Sequence, residues 1–245
     1  MQPRNKLIVA WVLFLSVSLH VPAAEPEVSE KDLPRVPPTE PDKALSTFRI
    51  KKGFRIELVA AEPLVVDPIA MAFDENGRLF VVEMRDYPER RNQTPHLGRV
   101  RLLEDTDGDG RFDKSTVYVD NLPWPTAVIC WNGGIFVGAT PDILYWKDTN
   151  GDGVADVREV VFTGIASNYA PYDVNKLNVQ ALFNGFTWGL DNRIHAANGG
   201  DGGTVHLVDS EFTRAWQEQA GINPKSEIRN PSTCAATIFP STRAR

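Results

Sequence analysis

From residue 48 onward the apolar positions fall in short runs broken by turn residues. Within the runs they alternate with polar ones, which is the period of a half-buried β-strand. "FRIELVA" sets Phe54, Ile56 and Leu58 on one face and Arg55 and Glu57 on the other, and reads as a strand. "IAMAFDENGRLFVVE", "TAVICWNGGIFVGAT" and "GFTWGLDNRIHAAN" each hold an apolar strand, a tight turn with Asn or Gly, and a second apolar strand. Leu79, Ile135 and Ile194 occupy equivalent places, so the unit recurs at spacings of 56 and 59 residues.

Each of the first two hairpins is followed by another. "RVRLLEDTDGDGRFDKSTVYVD" and "ILYWKDTNGDGVADVREVVFTG" both place a strand before an aspartate-rich turn and a strand after it. Asp105 and Asp148 are 43 apart rather than 56, because the first repeat carries an insert, "MRDYPERRNQTPHLG". Four antiparallel strands per repeat, with no helical pattern between repeats, predict an all-β fold: a β-propeller with four-stranded blades. A β-sandwich is the structural alternative, but it does not explain a repeat of this length. Two complete repeats and part of a third precede "TVHLVDS". The propeller is therefore expected to be incomplete in this chain, at about two and a half to three blades against the usual 4 to 8. "FRIELVA" then has the place of a strand that completes a last blade.

The two ends of the chain read differently. "MQPRNKLIVAWVLFLSVSLHVPAAEPE" has Arg4 and Lys6, an apolar run from Leu7 to Leu19, and then small residues. That is a signal-peptide pattern over residues 1–23, with an uncleaved anchor as the alternative. Removing it takes the net charge from -6 to -8. The chain is expected to be exported, to a periplasmic or cell-envelope location. Residues 24–47 are rich in Pro and Glu and read as a flexible linker. The partial propeller spans 48–209, and residues 210–245 show neither the period nor the Asp-Gly turn and read as a disordered tail. The acidic balance and the lack of a basic cluster exclude a nucleic-acid surface. Cys130 and Cys234 are the only cysteines, so no disulfide framework and no covalent haem attachment is expected.

The aspartate-rich turns carry the clearest chemistry. Asp105, Asp107, Asp109 and Asp113 in the first, and Asp148, Asn150, Asp152 and Asp156 in the second, alternate oxygen side chains, with Gly110 or Gly153 following the third. A hard cation held by one short segment needs that order, and calcium closing each hairpin is the expectation. The bland alternative is turn chemistry, in which Asp and Asn bond their own backbone. An EF-hand is set aside because strands flank the loops and Thr116 stands where the first loop would need its glutamate.

A binding site is expected on the opposite loop face, formed by "RDYPERRNQTPHLG", "NLPWPT" and "SNYAPYDVNKLNVQALFN". Candidates for ligand contact are Arg85, Tyr87, Asn178, Gln180 and Asn198. Arg85 and His195 are the catalytic candidates, although His195 stands in the repeat column of Phe80 and Phe136 and so reads as a packed core histidine.

"FRIELVAAEPLVVDPIAMAFDENGRLFVVEMRDYP", the stretch from Gly98 to Gly164, and "LNVQALFNGFTWGLDNRIHAANG" together resemble the N-terminal propeller of planctomycete-type membrane-bound dehydrogenases. Those are in turn similar to glucose and sorbosone dehydrogenase propellers, some of which use pyrroloquinoline quinone and calcium. The resemblance implies an oxidoreductase acting on a sugar or alcohol. It also implies a cytochrome c module as partner in full-length relatives, a truncated member here, and a tail from Glu211 unrelated to the family. A non-catalytic, calcium-stabilised binding propeller and an inactive fragment are the competing readings.

Overall fold

The computed structural model describes residues 29, 31, 33, 36–87, 96–165, 178, 180, 182–199, 202–220 and 236–237. The chain divides into two units, Met1–Glu40 and Pro41–Arg245. The expected signal peptide lies outside the described residues. In the first unit, residues 36–40 are exposed coil. The second opens with a short helix, α1 (Pro41–Ala44), and one 3-10 turn. Among the described residues no helix is long and apolar enough to cross a membrane.

The rest is mostly β-structure, as the alternation predicts. β1 (Pro68–Phe73), β2 (Leu79–Glu83), β3 (Gly98–Glu104) and β4 (Lys114–Leu122) form one antiparallel sheet in chain order. β5 (Pro125–Trp131), β6 (Gly134–Ala139), β7 (Asp142–Lys147) and β8 (Val157–Thr163) form the second. β9 (Asn184–Trp188) and β10 (Ile194–Ala197) begin a third. Turn residues fix these registers. Between β5 and β6, Asn132 (φ 51°) and Gly133 (φ 73°) both take left-handed conformations, so the hairpin closes in two residues with Trp131 opposite Gly134.

The sheets pack face to face. Phe80, Val82, Val100 and Leu102 of the first meet Val128, Ile135 and Val137 of the second. On its other face the second sheet presents Ile129, Phe136 and Tyr145 to Phe183, Ile194 and Ala196. β1, β5 and β9, the first strands of consecutive sheets, are neighbours. The far face of the first sheet is only partly covered. Val65, Leu79, Val81 and Leu103 cluster there, while Ile69, Met71 and Phe73 of β1 are 47%, 67% and 60% exposed.

Two sequence expectations change. "FRIELVA" pairs with no strand among the described residues; Phe54 is 73% exposed and Ile56 39%. The alternation is real, but a strand also needs ladder partners. What holds the segment is the N–H of Phe112, which donates to the Val59 carbonyl at 2.9 Å. The same contact recurs one repeat later, where Ala155 N–H donates to the Tyr118 carbonyl on β4 at 3.0 Å. Residues 54–60 thus stand toward the first acidic loop as β4 stands toward the second.

The second change concerns the segment after 203. β11 (His206–Leu207) pairs with β8 and covers that sheet edge. A helix follows, α2 (Glu211–Ala220), where neither period nor turn signal pointed to structure. Ser210 and Thr213 cap it reciprocally: Thr213 N–H donates to Ser210 Oγ at 3.1 Å and Ser210 N–H to Thr213 Oγ1 at 2.9 Å. Phe212 stacks on Tyr145 with ring centroids 5.2 Å apart. Replacing Phe212 by alanine is expected to cost about 1–2 kcal/mol. A thermal melt should read this as a drop of roughly 3–6 °C.

Candidate functional site

The meander gives each sheet two ends. The β1–β2, β5–β6 and β9–β10 turns share one end with the acidic β3–β4 and β7–β8 loops, and the connections after β2, β4 and β6 run at the other.

At the acidic end the two loops are built alike. Asp105 accepts the N–H groups of Gly108 and Gly110 at 2.7 and 2.9 Å, and Asp148 accepts those of Gly151 and Gly153 at 2.6 and 2.8 Å. Asp107 accepts from Asp109 N–H and Asp109 from Arg111 N–H, as Asn150 accepts from Asp152 and Asp152 from Val154. Asp113 closes the first loop on the backbone and hydroxyl of Thr106, and Asp156 does the same to Thr149. These bonds hold the Asp105 carboxyl below its ordinary pKa, with the Gly110 N–H contributing most. At Asp148 burial pushes upward, but the donors from Gly153, Gly151 and Asn150 together outweigh it, so its pKa is also lowered.

A carboxyl whose folded pKa is lowered stabilises the fold above its unfolded value, and the contribution disappears as pH falls through the folded value. Melting temperature, measured by circular dichroism, should therefore be flat above pH 5 and fall below the ordinary value of 3.8. Double replacement of Asp105 and Asp148 by asparagine should flatten that acid limb.

Turn chemistry thus accounts for one role of every loop side chain. It leaves room for a second. Carboxylate oxygens of Asp105, Asp107 and Asp109 lie within 4.8 Å of one another, and an oxygen-only set of this kind suits a hard cation.

The second loop is also tied to the first sheet. Asp148 N–H donates to the Tyr118 hydroxyl at 2.9 Å, and burial pushes the Tyr118 phenol up to about 12, so it stays protonated at ordinary pH.

At the other end the structure brings some of the expected residues together. Gln180 Nε2 donates to the Tyr87 hydroxyl at 3.5 Å, and Asn178 Oδ1 accepts the Gln180 N–H at 3.0 Å. Arg85 is half-buried just beyond β2. Asn198 donates from Nδ2 to the Gly202 carbonyl at 2.9 Å, while its Oδ1 is buried with no hydrogen-bond partner among the described residues. Residues 88–95 and 166–177, which carry much of the expected loop face, lie outside the described residues. The described candidates supply polar contacts and one cation, Arg85. Pyrroloquinoline quinone carries several carboxylates, and this set does not by itself make a pocket for it.

His195 departs from its expected packing role. Its neighbours Ile194 and Ala196 face the core, which turns the imidazole to the opposite side of β10. There Nε2 lies 3.0 Å from Asp191 Oδ1 in the β9–β10 turn. The bond to His195 is the main reason the Asp191 carboxyl sits below its ordinary pKa. Aligning the repeat on Ile194 missed this pair, although Asp191 stands only four residues from His195. The pair is at the acidic end, so the two catalytic candidates, Arg85 and His195, are not brought together. Cys130 is half-buried and free, and burial raises its thiol to about 12, which makes it inert.

The chain matches the domain of unknown function DUF7133 over residues 40–238 and belongs to that family. The match takes in most of the tail, so it does not stop at the boundary expected near 210. No curated protein matches. Among solved structures the chain is similar to an oxidoreductase (glucose dehydrogenase) from Thermus thermophilus, at 14% identity and a TM-score of 0.35. That alignment covers 58% of this chain and 44% of the other, so the chain spans less than half of that protein. Likeness at this level fixes neither fold closure nor activity.

Proposed function

We propose that the chain is the exported propeller portion of a dehydrogenase-type protein acting on a sugar or alcohol, with calcium held in its acidic loops. The observation that carries the propeller is the recurrence of one contact: Phe112 on Val59 repeats Ala155 on Tyr118. It supports reading residues 54–60 as a blade's outer strand, and the exposed Ile69, Met71 and Phe73 as the face that such a blade would cover. Calcium is supported by the closely matching backbone course of both loops and by the clustered carboxylates of Asp105, Asp107 and Asp109. The ions would be structural, since the loops stand at the end away from Arg85, Tyr87 and Gln180. Asp105, Asp107, Asp109 and Asp113 would hold one, and Asp148, Asn150, Asp152 and Asp156 the other.

The substrate end is read as the group of Arg85, Tyr87, Asn178, Gln180 and Asn198. The chain's own groups there would hydrogen-bond and orient a hydroxyl compound. A second reading, a binding propeller without chemistry, is favoured by one feature: His195 stands at the far end from this group. Dye-linked oxidation of aldoses and alcohols, measured with calcium and pyrroloquinoline quinone present, separates them. Turnover that falls in Arg85→Ala supports the dehydrogenase. Calcium-dependent sugar binding without turnover supports the second reading.

For the ions, calcium at about a hundredfold over its dissociation constant should stabilise the fold by about 2.7 kcal/mol per site. Adding a chelator should reverse the rise in melting temperature. A melt indifferent to both would remove calcium from the account.

A further inference from the structure

One sheet of the repeat lacks a strand, and one strand lacks a sheet. In the two complete sheets the strands run in chain order from first to fourth, β1 to β4 and β5 to β8. The third has the order β9, β10 and then β12 (Ala236–Thr237), which pairs antiparallel with β10 as β3 does with β2. Among the described residues its fourth position is vacant. Residues 54–60 are the converse. By the contact between Phe112 and Val59 they stand where a fourth strand stands, and no described strand pairs with them.

The sheet faces are matched in the same way. Each sheet turns the column of Phe80 and Phe136 to its successor: Phe80 packs on the second sheet and Phe136 on the third. His195 stands in that column, so the side of β10 that carries it is the side a following sheet would cover. The first sheet leaves Ile69, Met71 and Phe73 exposed on the side a preceding sheet would cover. With Phe54 and Ile56 they leave roughly 600 Å² of apolar side chain in water, against about 800 Å² per partner in a standard interface, and a ladder along residues 54–60 adds to it. The side of the third sheet with Thr187 and His195 is more polar, as befits a contact between separately folded copies. An unpaired strand and an open sheet edge are the parts from which chains build a shared sheet.

We infer that two copies of this chain close head to tail, residues 54–60 of each adding the fourth strand to the third sheet of the other. Three sheets from each copy make six, inside the 4 to 8 of closed propellers, and a two-fold axis makes both junctions alike. The repeat also says which residues meet. At the junction of the first and second sheets, Cys130 Sγ lies 4.0 Å from the Ala72 carbonyl oxygen. Ala72 and Thr187 pair with Phe80 and His195, and Cys130 and Phe73 pair with Ile135 and Leu79, so the members of each couple share a column. Thr187 of one copy therefore falls beside Phe73 of the other. The inference rests on the propeller reading above, but on neither calcium nor redox activity.

The test is the mass of the chain in solution, read by sedimentation equilibrium at micromolar concentration. The expected result is twice the mass that the same sample gives when denatured. Phe73→Lys should weaken the pair about a hundredfold, because it sets an unpaired charge against the other copy. Thr187→Glu should also weaken it, and the double variant should recover most of the loss, since each junction then sets Lys against Glu. Should Phe73→Lys not fold, Met71→Lys places the charge at a more exposed position of the same face. Ile56→Pro removes an N–H on the side of the segment away from Phe112, where the shared ladder would form, and should leave a folded monomer by circular dichroism. A monomeric parent chain, an open series of larger species, a pair that survives these charges, or a Phe73→Lys loss that Thr187→Glu does not recover would overturn the inference. Hydrogen exchange at the Phe112 amide tests the propeller reading separately: a monomer in which that N–H stays protected removes the pair alone.

Discussion

Glu83→Ala is expected to lose about 3–5 kcal/mol of stability in urea unfolding. Glu83 ends β2 with its side chain fully buried, on the same face as Leu79 and Val81. One carboxylate oxygen accepts the Val66 N–H at 2.7 Å, which fastens the chain entering β1 to the first sheet. Arg101 Nε approaches the same oxygen at 3.4 Å as an ion pair whose angle is too poor for a hydrogen bond. Alanine would orphan the Val66 donor and leave a mostly buried guanidinium without its counter-charge. Glu83→Gln keeps an acceptor for Val66 and should recover part of the loss. Equal losses in the two variants would mean that the charge, not the backbone contact, carries the effect.

Phe136→Ala should be as damaging, at about 3–5 kcal/mol, because it empties the middle of the larger core. The ring is 1% exposed and sits 5.1 Å from Tyr145 and 5.6 Å from Trp131 between centroids. The three rings belong to three different strands, so the cavity cannot close without moving the backbone. Phe136→Leu, which keeps most of the volume, should lose clearly less. The comparison, read from the same unfolding curves, separates lost packing from lost ring contacts.

Much of the fold is legible in the chain because its strands are amphipathic and its turns are chemically explicit. "WNGG" states a two-residue hairpin, and the observed β5 and β6 flank it. The acidic loops were equally plain, since Asp and Gly at alternate positions leave the backbone few other courses. What the chain could not show was anything decided by a partner. "FRIELVA" has the alternation of a strand, yet whether it pairs depends on a ladder that its own residues do not encode. His195 and Asp191 needed the sheet to say which side of β10 faces the core. α2 escaped because a helix of ten residues with one useful aromatic, Phe212, gives too short a pattern to stand out.

Tyr118 binds the second acidic loop twice, through its carbonyl and through its hydroxyl, while its ring packs edge-on against Phe80 at 4.9 Å. A disturbance at Asp148 is therefore felt at once in the neighbouring unit. Such nearest-neighbour linkage favours melting in a single step over unravelling one module at a time, and it lets an event at one hairpin tip set the rigidity of the next.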